Sequence, residues 1–157
     1  MKTFEIITEK LKSANFPFEE VTFKDVVVSA RTSDTSVDNN YDPQSAIKTL
    51  VVKSNQGMFA VIARGNSFVD KHKLKDIIGK WSVVSGDVLQ SELGYIPGCV
   101  CPLDVDVPLL LDQSALELEI WSIGVGAVDK GINVKKEDAL QYIKDYKVVD
   151  VSSNEGR

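Results

Sequence analysis

The pattern of apolar and polar positions in the first quarter of the chain predicts one helix, one strand and one loop. Apolar residues recur at helical spacing over residues 3–14, and Asn15 and Pro17 are typical of a helix end. Phe18 to Val28 is rich in Val and Phe, which favours a strand. The polar residues 29–40 show almost no apolar period, so we expect a surface loop with at most a short helix.

The strongest strand signal lies in the middle of the chain. Ile47 to Lys53 and Gly57 to Arg64 each predict a strand, and the polar Ser54-Asn55-Gln56 segment between them predicts a hairpin turn. The next predicted elements are a helix capped by Asp70 and closed by Gly79, a strand at Trp81–Val84 and a helix capped by Ser85 and ended by Gly94. Three strands follow, at Val107–Leu111, Leu118–Ile123 and Ile132–Val134. The last predicted elements are a helix around residues 139–143, a strand around residues 148–151 and a frayed tail at Ser152–Arg157. We therefore predict an α/β fold in which a mixed β-sheet core is wrapped by helices.

Length and composition are those of one globular domain covering residues 1–157. Of the 157 residues, 43% are hydrophobic and 26% are charged, which is ordinary for a soluble protein. The chain contains no apolar run near the roughly 20 residues that a membrane-spanning helix needs. The segment Met1 to Glu5 lacks the apolar core of a signal peptide, so we expect a cytoplasmic protein that does not associate with a membrane.

The charge balance limits how the protein could meet a nucleic acid. The net charge is −5 and the sequence pI is about 4.9, which argues against coating nucleic acid through bulk charge. A local patch of basic residues could still bind one end of an RNA. The candidate residues for such a patch are Lys71, Lys73, Lys75, Lys130, Lys135 and Lys136.

The segment Gly94 to Pro102 is the most unusual stretch of the sequence. It holds two Gly, two Pro and two Cys residues in nine positions. Such a segment is either a stiff turn or a preformed loop whose backbone N–H groups face a ligand. Within it, Gly98 to Pro102 has the form Gly-x-x-x-Pro, whose N–H groups could bind a carbonyl or a developing oxyanion without an acidic or basic side chain.

Lys48 is the most informative single residue. The alternation of the predicted strand places Lys48 on one face with Leu50 and Val52, in a strand that is apolar on both faces and is therefore expected to be central. A lysine at such a position is costly unless its ammonium reaches water or meets an anion. Lys48 is therefore either a lysine that extends along the sheet into water or a fixed cation at the mouth of a pocket.

The glycine-rich segment Gly124 to Gly131 superficially resembles a phosphate-binding loop. It lacks the Lys-Ser/Thr ending of a P-loop, and no helix is predicted where a dinucleotide fingerprint requires one. We expect its glycines to allow close approach to another backbone or to a substrate instead.

The cysteine and histidine residues do not form a recognisable metal or nucleophile set. Cys99, Cys101 and His72 are too few for an ordinary zinc site, and His72 lies in a solvated charged run, away from any thiol in sequence. We expect small, partly buried thiols, a surface histidine, no metal and no cofactor. Two cysteines one residue apart also agree with a reducing compartment.

Three stretches taken together resemble the YbaK/EbsC family, the free-standing relatives of the editing domain inserted in bacterial prolyl-tRNA synthetases. The stretches are Asp42-Pro43 with Ala46 to Val52, then Gly94-Tyr95 with Pro97 to Leu103, and finally Gly126 through Val134. Their order and spacing match over most of the chain. The resemblance implies the editing-domain fold, a mixed sheet core wrapped by helices.

The resemblance also implies a function. Members of the family are trans-editing hydrolases that deacylate mischarged aminoacyl-tRNA, with water attacking the ester and the free hydroxyl of the terminal ribose assisting. By the resemblance, Lys48 is the essential lysine beside the terminal adenosine, and Gly98 belongs to the loop that holds the aminoacyl carbonyl. The implied substrate-binding residues are Cys99, Val100, Cys101, Pro102, Gly126 and Asn133. The implied partners are the tRNA acceptor end and an aminoacyl-tRNA synthetase.

The sequence departs from the family pattern mainly around the loop. Cys99 and Cys101 stand where Gly, Ala or Ser is usual, Leu93 stands where Thr is frequent, and the segment after Arg31 lacks an Ala- and Glu-rich helix. We expect backbone donors, the two thiols and Val100 to line the amino-acid pocket. Such a lining would select small side chains of the Ala, Ser or Cys class by volume.

Two other functions compete with a deacylase. The first is a non-catalytic module of the same fold that binds aminoacyl-tRNA or a synthetase, since matching residues do not by themselves establish turnover. The second is a thiol redox protein that uses Cys99 and Cys101. Lys48 and the complete Gly-x-x-x-Pro loop favour the deacylase over the binding module, and the Cys-x-Cys spacing disfavours the redox protein.

Overall fold

The computed structural model describes residues 1–23 and 41–153. The second half of the strand predicted over residues 18–28, the loop predicted over residues 29–40 and the last four residues of the predicted tail lie outside this part of the chain. Among the described residues, no helix is both long enough and apolar enough to cross a bilayer.

Short helices and strands alternate along the described residues, as the sequence predicts. The helices are α1 (Phe4–Ser13), α2 (Lys71–Ile78), α3 (Gly86–Val88, continued by a π-helical turn at Leu89–Leu93), α4 (Gln113–Leu116) and α5 (Lys136–Ile143), with a 3₁₀ turn at Pro43–Ser45. The strands are β1 (Glu19–Thr22), β2 (Ile47–Ser54), β3 (Gly57–Arg64), β4 (Phe68–Val69), β5 (Trp81–Val83), β6 (Leu109–Asp112), β7 (Ile120–Gly124), β8 (Lys130–Lys135), β9 (Lys147–Val149) and β10 (Ser152–Ser153).

A five-stranded mixed sheet forms the centre of the fold, in the order β5-β2-β3-β6-β9. Strand β2 is antiparallel to β3 and to β5, whereas β6 runs parallel to both β3 and β9. Since β2 has a strand on each side, the central position expected for the strand that carries Lys48 is confirmed.

A smaller antiparallel sheet in the order β1-β8-β7 lies beside the main sheet. An isolated bridge between Ala46 and Ser122 joins the start of β2 to β7. This junction brings the end of the main sheet that carries Lys48 against the strands of the smaller sheet, which creates the site described below.

The two faces of β2 contribute to two separate hydrophobic clusters. Ile47 and Val51 belong to the cluster that includes the buried face of α1 and most of the smaller sheet. Val52, with the partly buried Leu50, belongs to the cluster that includes the inner side of α2. Both faces of the strand are therefore covered, which explains why its sequence is apolar on both sides.

Local signals determine the ends of several elements as predicted. Asn55 and Gln56 connect β2 to β3 as a hairpin. The Asp70 side chain accepts hydrogen bonds from the N–H groups of His72 and Lys73 at the start of α2, and Gly79 ends that helix with φ +87°. These caps explain why an eight-residue helix is stable at this position.

The structure corrects the prediction of a frayed tail beginning at residue 152. Ser152 and Ser153 form β10, which pairs with β4. The preceding Val151 is held on both sides, because its N–H donates to Asp112 at 2.7 Å and its carbonyl accepts from Asp70 at 2.6 Å. These long-range partners have no signal in the local sequence. The short helix α4 and the two-residue strand β4 were likewise not predicted.

Candidate active site

A cavity of about 460 Å³ lies between the start of β2, the smaller sheet and the Gly98 loop. Its wall consists mostly of apolar residues and glycine. The lining residues are Val21, Phe23, Tyr41, Ala46, Ile47, Lys48, Thr49, Leu50, Gly65, Phe68, Val69, Trp81, Pro97, Gly98, Val100, Ser122, Ile123, Gly124, Ala127, Lys130, Gly131 and Ile132. The structure therefore brings together Lys48, Gly98 and Val100, three of the residues that the sequence analysis singled out.

Lys48 extends from the interior strand β2 to the cavity wall. Its ammonium donates a hydrogen bond to the carbonyl of Ser67 and lies 5.7 Å from the centre of the Phe68 ring. The side chain is partly exposed, so the ammonium stays hydrated on one side. The carbonyl and the ring hold this cation at the cavity wall instead of letting it extend freely into water.

The segment Ile96 to Cys99 is a type II β-turn. Cys99 N–H donates to the carbonyl of Ile96 at 3.2 Å, Pro97 fixes the first central position, and Gly98 occupies the second with φ +84°. Proline and glycine are the residues that these two positions prefer. The nine-residue segment singled out in the sequence therefore contains both a stiff turn and a cavity wall.

Two residues of this loop line the cavity and have backbone N–H groups without a backbone acceptor among the described residues. Gly98 and Val100 both line it, and within residues 1–23 and 41–153 neither N–H group donates to a backbone carbonyl. Val100 is only 5% exposed, so its N–H is a buried donor. Buried N–H groups normally have an acceptor, and a carbonyl oxygen of a bound ester would supply one.

Glycines of the 124–131 segment allow close approach of backbones, as predicted. Gly126 N–H donates to the carbonyl of Cys99 at 2.8 Å, and a Cβ at Gly126 would come within 2.6 Å of the Lys2 carbonyl oxygen. A Cβ at Gly124 would lie 3.2 Å from the backbone of both Cys99 and Val100. Gly126 is thus a support for the loop and does not line the cavity itself.

The N-terminal residues also hold this loop. Lys2 and Lys10 form ion pairs with Asp104 at 3.1 and 2.9 Å, and the Tyr95 hydroxyl donates to the Asp104 carbonyl at 2.7 Å. Burial alone would raise the pKa of Asp104, but the hydrogen bonds from Lys10 and Lys2 outweigh it and lower that pKa. Helix α1 is therefore attached to the segment that follows the Gly-x-x-x-Pro motif.

The structure places Cys99, Cys101 and Pro102 away from the cavity lining. Cys99 is 1% exposed and Cys101 is fully buried, and neither forms a disulfide. Burial, together with Asp129, raises the pKa of Cys99 to about 11, and burial raises the pKa of Cys101 to about 12. Both thiols are therefore protonated at neutral pH, which disfavours a nucleophile or a redox pair.

Asn133 lies on β8, next to Lys130, Gly131 and Ile132 of the same strand, which form part of the cavity wall. It is 8% exposed and does not line the cavity, but its side chain accepts a hydrogen bond from Ser122, which does. Ser122 had no signal in the sequence, because its place opposite Asn133 follows from strand pairing alone.

The described wall of the cavity carries basic side chains although the protein as a whole is acidic. Lys48 and Lys130 both line it, and no Asp or Glu occurs among the described residues of its wall. The ammonium of Lys130 lies 4.7 Å from the centre of the Phe4 ring. His72 lies on the exposed side of α2, and the part of the chain that the structure describes contains no cluster of His, Cys, Asp or Glu that could hold a metal ion.

A second depression, of about 390 Å³, has the opposite chemistry. Its lining is polar and includes Arg64, Gln113, Glu117 and Asp150. Arg64 is already engaged there, by Glu117 at 3.3 Å and by the carbonyl of Gln44 at 3.4 Å. This depression shares no lining residue with the first cavity.

Comparison with known proteins identifies related sequences. The sequence profile of a family described as "Aminoacyl-tRNA editing domain" matches residues 22–142. The proline–tRNA ligase of Exiguobacterium sibiricum is 29% identical over 77 residues, and that of Desulfotalea psychrophila is 22% identical over 112 residues. These segments cover 48% and 68% of this chain but only 14% and 20% of the two ligases.

A solved structure has the same fold over nearly its whole length. A candidate trans-editing enzyme for prolyl tRNA synthetase matches this chain with a TM-score of 0.81, at 16% identity, over 96% of each chain. This likeness confirms the predicted α/β fold with a mixed sheet and surrounding helices.

Proposed function

Because this chain belongs to the aminoacyl-tRNA editing domain family, we propose that it is a trans-editing hydrolase that deacylates mischarged aminoacyl-tRNA carrying a small amino acid. The observation that carries the proposal is the convergence of Lys48, Gly98 and Val100 on one cavity, where the two loop residues have N–H groups that donate to no backbone carbonyl within residues 1–23 and 41–153. These groups come from a strand and a turn far apart in sequence, and they supply positive charge and donors where an ester carbonyl would develop negative charge.

The reaction we propose is hydrolysis without a side-chain nucleophile. Water attacks the ester carbonyl, the carbonyl oxygen becomes negatively charged, and the bond to the ribose oxygen breaks to release the amino acid and a free ribose hydroxyl. The backbone donors of Gly98 and Val100 stabilise the oxyanion, and Lys48 stabilises the developing charge on the ribose side. The free neighbouring hydroxyl of the ribose assists the attacking water, since the described wall offers no carboxylate or histidine base.

The size of the cavity supports a small side chain. About 460 Å³ must hold the aminoacyl group together with part of the terminal nucleoside, and the wall includes the apolar residues Val100 and Ile123 besides Gly98. An apolar wall separates side chains that differ by one CH₂ by only about 0.8 kcal/mol. We therefore propose a volume limit that accepts Ala, Ser and Cys together and excludes bulky residues.

The partners we propose are the acceptor end of tRNA and an aminoacyl-tRNA synthetase. Two cations of the described part of the wall, Lys48 and Lys130, offer a short stretch of positive charge in a protein with net charge −5. Such a stretch suits the single-stranded end of an RNA and not its whole surface. The similarity to proline–tRNA ligases supports a tRNA for proline and a place of action in the cytoplasm.

A deacylation panel tests this proposal. Purified protein is mixed with one tRNA for proline charged in turn with Ala, Ser, Cys, Pro, Leu or Phe, and ester loss is measured against buffer alone. We expect fast loss of the three small amino acids and background rates for Leu and Phe. Binding of every small-residue aminoacyl-tRNA without any hydrolysis would instead establish a non-catalytic binding module.

A further inference from the structure

A row of three polar side chains crosses the smaller sheet from solvent to the cavity. In the strand register, Glu19 of β1 lies opposite Asn133 of β8, and Asn133 lies opposite Ser122 of β7. Asn133 Nδ2 donates to Glu19 Oε1 at 3.3 Å, and Ser122 Oγ donates to Asn133 Oδ1 at 2.5 Å. Glu19 is exposed, whereas Ser122 and Asn133 are each 8% exposed.

This row is set in an apolar environment. Strand alternation turns the adjacent Trp121, Ile123 and Ile132 to the opposite face, where they belong to the main hydrophobic cluster. On the face of the row itself, the next cross-strand set is Val21, Gly131 and Gly124, and all three line the cavity. A buried hydroxyl and a buried amide cost free energy unless they are hydrogen-bonded, and an apolar cross-strand pair would serve the sheet at least as well. The polar pair therefore points to a role at the cavity, where the row ends.

The hydrogen bonds fix the chemistry that Ser122 presents. The Asn133 amide is oriented because its nitrogen donates to Glu19, which leaves its oxygen to accept the single hydroxyl proton of Ser122. With that proton engaged, Ser122 Oγ can only accept hydrogen bonds from a group inside the cavity. The same wall carries two side-chain donors, Lys48 and Lys130, which can bind acceptor atoms of a substrate. An acceptor at Ser122 would instead bind a hydrogen-bond donor of the substrate.

We propose that Ser122 Oγ accepts a hydrogen bond from the α-amino group of the aminoacyl ester, and that Asn133 and Glu19 are positioning residues that orient Ser122. This inference rests on the proposed function, because it names the part of that substrate which Ser122 recognises. The α-amino group is the N–H donor nearest the ester that all aminoacyl substrates share. Recognition of it would let the cavity accept Ala, Ser and Cys alike while rejecting esters without an amine.

The experiment compares alanyl-tRNA with propionyl-tRNA, which has the same carbon skeleton but no amino group. Each kcat/KM is divided by the spontaneous hydrolysis rate of the same ester, because an α-amino group activates its ester without any protein. We expect wild-type protein to prefer alanyl-tRNA at least about tenfold on this corrected scale, the usual worth of one hydrogen bond to a charged or strongly polar group. Ser122→Ala should remove this corrected preference by slowing alanyl-tRNA only. Ser122→Thr, which keeps the hydroxyl, should retain most of it, and Ser82→Ala on the exposed edge strand β5 is the matched control.

Binding analogues separate this inference from the proposed hydrolysis. Calorimetric titrations use 3′-deoxy-3′-alanylamido-adenosine and its propionylamido counterpart, neither of which contains a cleavable ester. Tighter binding of the alanyl compound by wild type, lost in Ser122→Ala, would support amine recognition even if no ester is hydrolysed. Equal losses for both compounds would show a merely structural Ser122 and overturn the proposal, as would an unchanged preference in folded Ser122→Ala.

Discussion

Asp112 on β6 and Ser122 on β7 are both buried polar residues, but the hydrogen-bond partners of their side chains differ. Asp112 is fully buried, and its oxygens accept from Ser114 N–H at 2.9 Å and from Val151 N–H at 2.7 Å. Within residues 1–23 and 41–153, the Ser122 side chain has one hydrogen-bond partner, Asn133, and Ser122 also lines the cavity. A buried polar group whose hydrogen bonds all end within the protein stabilises the fold, whereas one that also faces a cavity is available to a substrate.

The same contrast extends to the regions around these two residues. Asp112 ends β6, caps α4 and holds the C-terminal β10 in place, so it belongs to the region that keeps the chain folded. Lys48, the Gly98 turn and Ser122 surround the cavity. Substitutions in the first region should lower stability with little effect on the activity per folded molecule. Substitutions in the second region should lower activity with little effect on stability.

The largest expected effect is on activity, from Lys48→Ala. Removing a cation that stabilises transition-state charge typically costs about a hundredfold to a thousandfold in rate, so we expect at least a hundredfold loss in deacylation. The melting temperature should change little, because the contacts of the ammonium with the Ser67 carbonyl and the Phe68 ring belong to a partly exposed side chain. Lys53→Ala, an exposed position of the same strand, is the control and should keep wild-type activity. Undiminished hydrolysis by folded Lys48→Ala would refute its role.

The next effect is on stability, from Asp112→Ala. The buried N–H of Val151 and the partly buried N–H of Ser114 would lose their acceptor, at about 1–3 kcal/mol each. We therefore expect the free energy of unfolding in urea titrations to fall by about 2–4 kcal/mol. The control is Asp150→Ala, whose exposed ion pair with Lys73 at 3.4 Å should be worth less than about 1 kcal/mol. A folded Asp112→Ala protein of wild-type stability but without activity would contradict the division between the two regions.

Asp112 should also make the free energy of unfolding depend on pH. Burial alone would raise the pKa of Asp112, but the hydrogen bonds from Ser114, Val151 and Ser152 lower it below its ordinary value. A lowered folded pKa contributes stability above the unfolded pKa of about 3.9, and this contribution is lost as pH falls through the folded pKa. The stability gap between wild type and Asp112→Ala should therefore be constant near pH 7 and shrink below about pH 4.

A smaller effect on both activity and stability is expected from Gly98→Ala. Gly98 has φ +84°, which costs an L side chain roughly 1–2 kcal/mol, so the turn should shift and displace the donors of Gly98 and Val100. We expect about a tenfold loss of deacylation with a modest fall in melting temperature. Gly86→Ala is the control, because Gly86 has no positive φ and a Cβ there would meet Pro97 at an ordinary 3.4 Å. Equal losses in the two variants would indicate a general packing effect.

The smallest effect on activity is expected from the cysteines. Neither thiol lines the cavity, and pKa values raised by burial to about 11 and 12 keep both protonated at neutral pH. Cys99→Ser and Cys101→Ser should therefore keep activity within about twofold while losing about 1–3 kcal/mol of stability, because a hydroxyl replaces a thiol in an apolar site. Rates should show no thiol titration between pH 6 and about 9. Complete loss of hydrolysis in a folded variant would show that a thiol is the nucleophile.

The sequence predicted those parts of the site that depend on local signals. Lys48 was recognisable as a cation in an apolar strand, and Gly98 as the glycine of a Pro-Gly turn. Whether a side chain of the loop faces the cavity follows from how the turn packs, so the placement of Cys99 and Cys101 away from the cavity could not be predicted. The row from Glu19 through Asn133 to Ser122 also depends on strand pairing, which joins residues more than a hundred positions apart.

The central claim is that the cavity beside Lys48 binds the aminoacyl end of the substrate. The most direct test is a titration of ¹⁵N-labelled protein with 3′-deoxy-3′-alanylamido-adenosine, followed by backbone amide chemical shifts. We predict the largest shifts at Gly98, Val100 and Gly131, and no such shifts in Lys48→Ala at the same ligand concentration. Shifts confined to the polar depression around Arg64 and Gln113, with the cavity amides unchanged, would contradict the account.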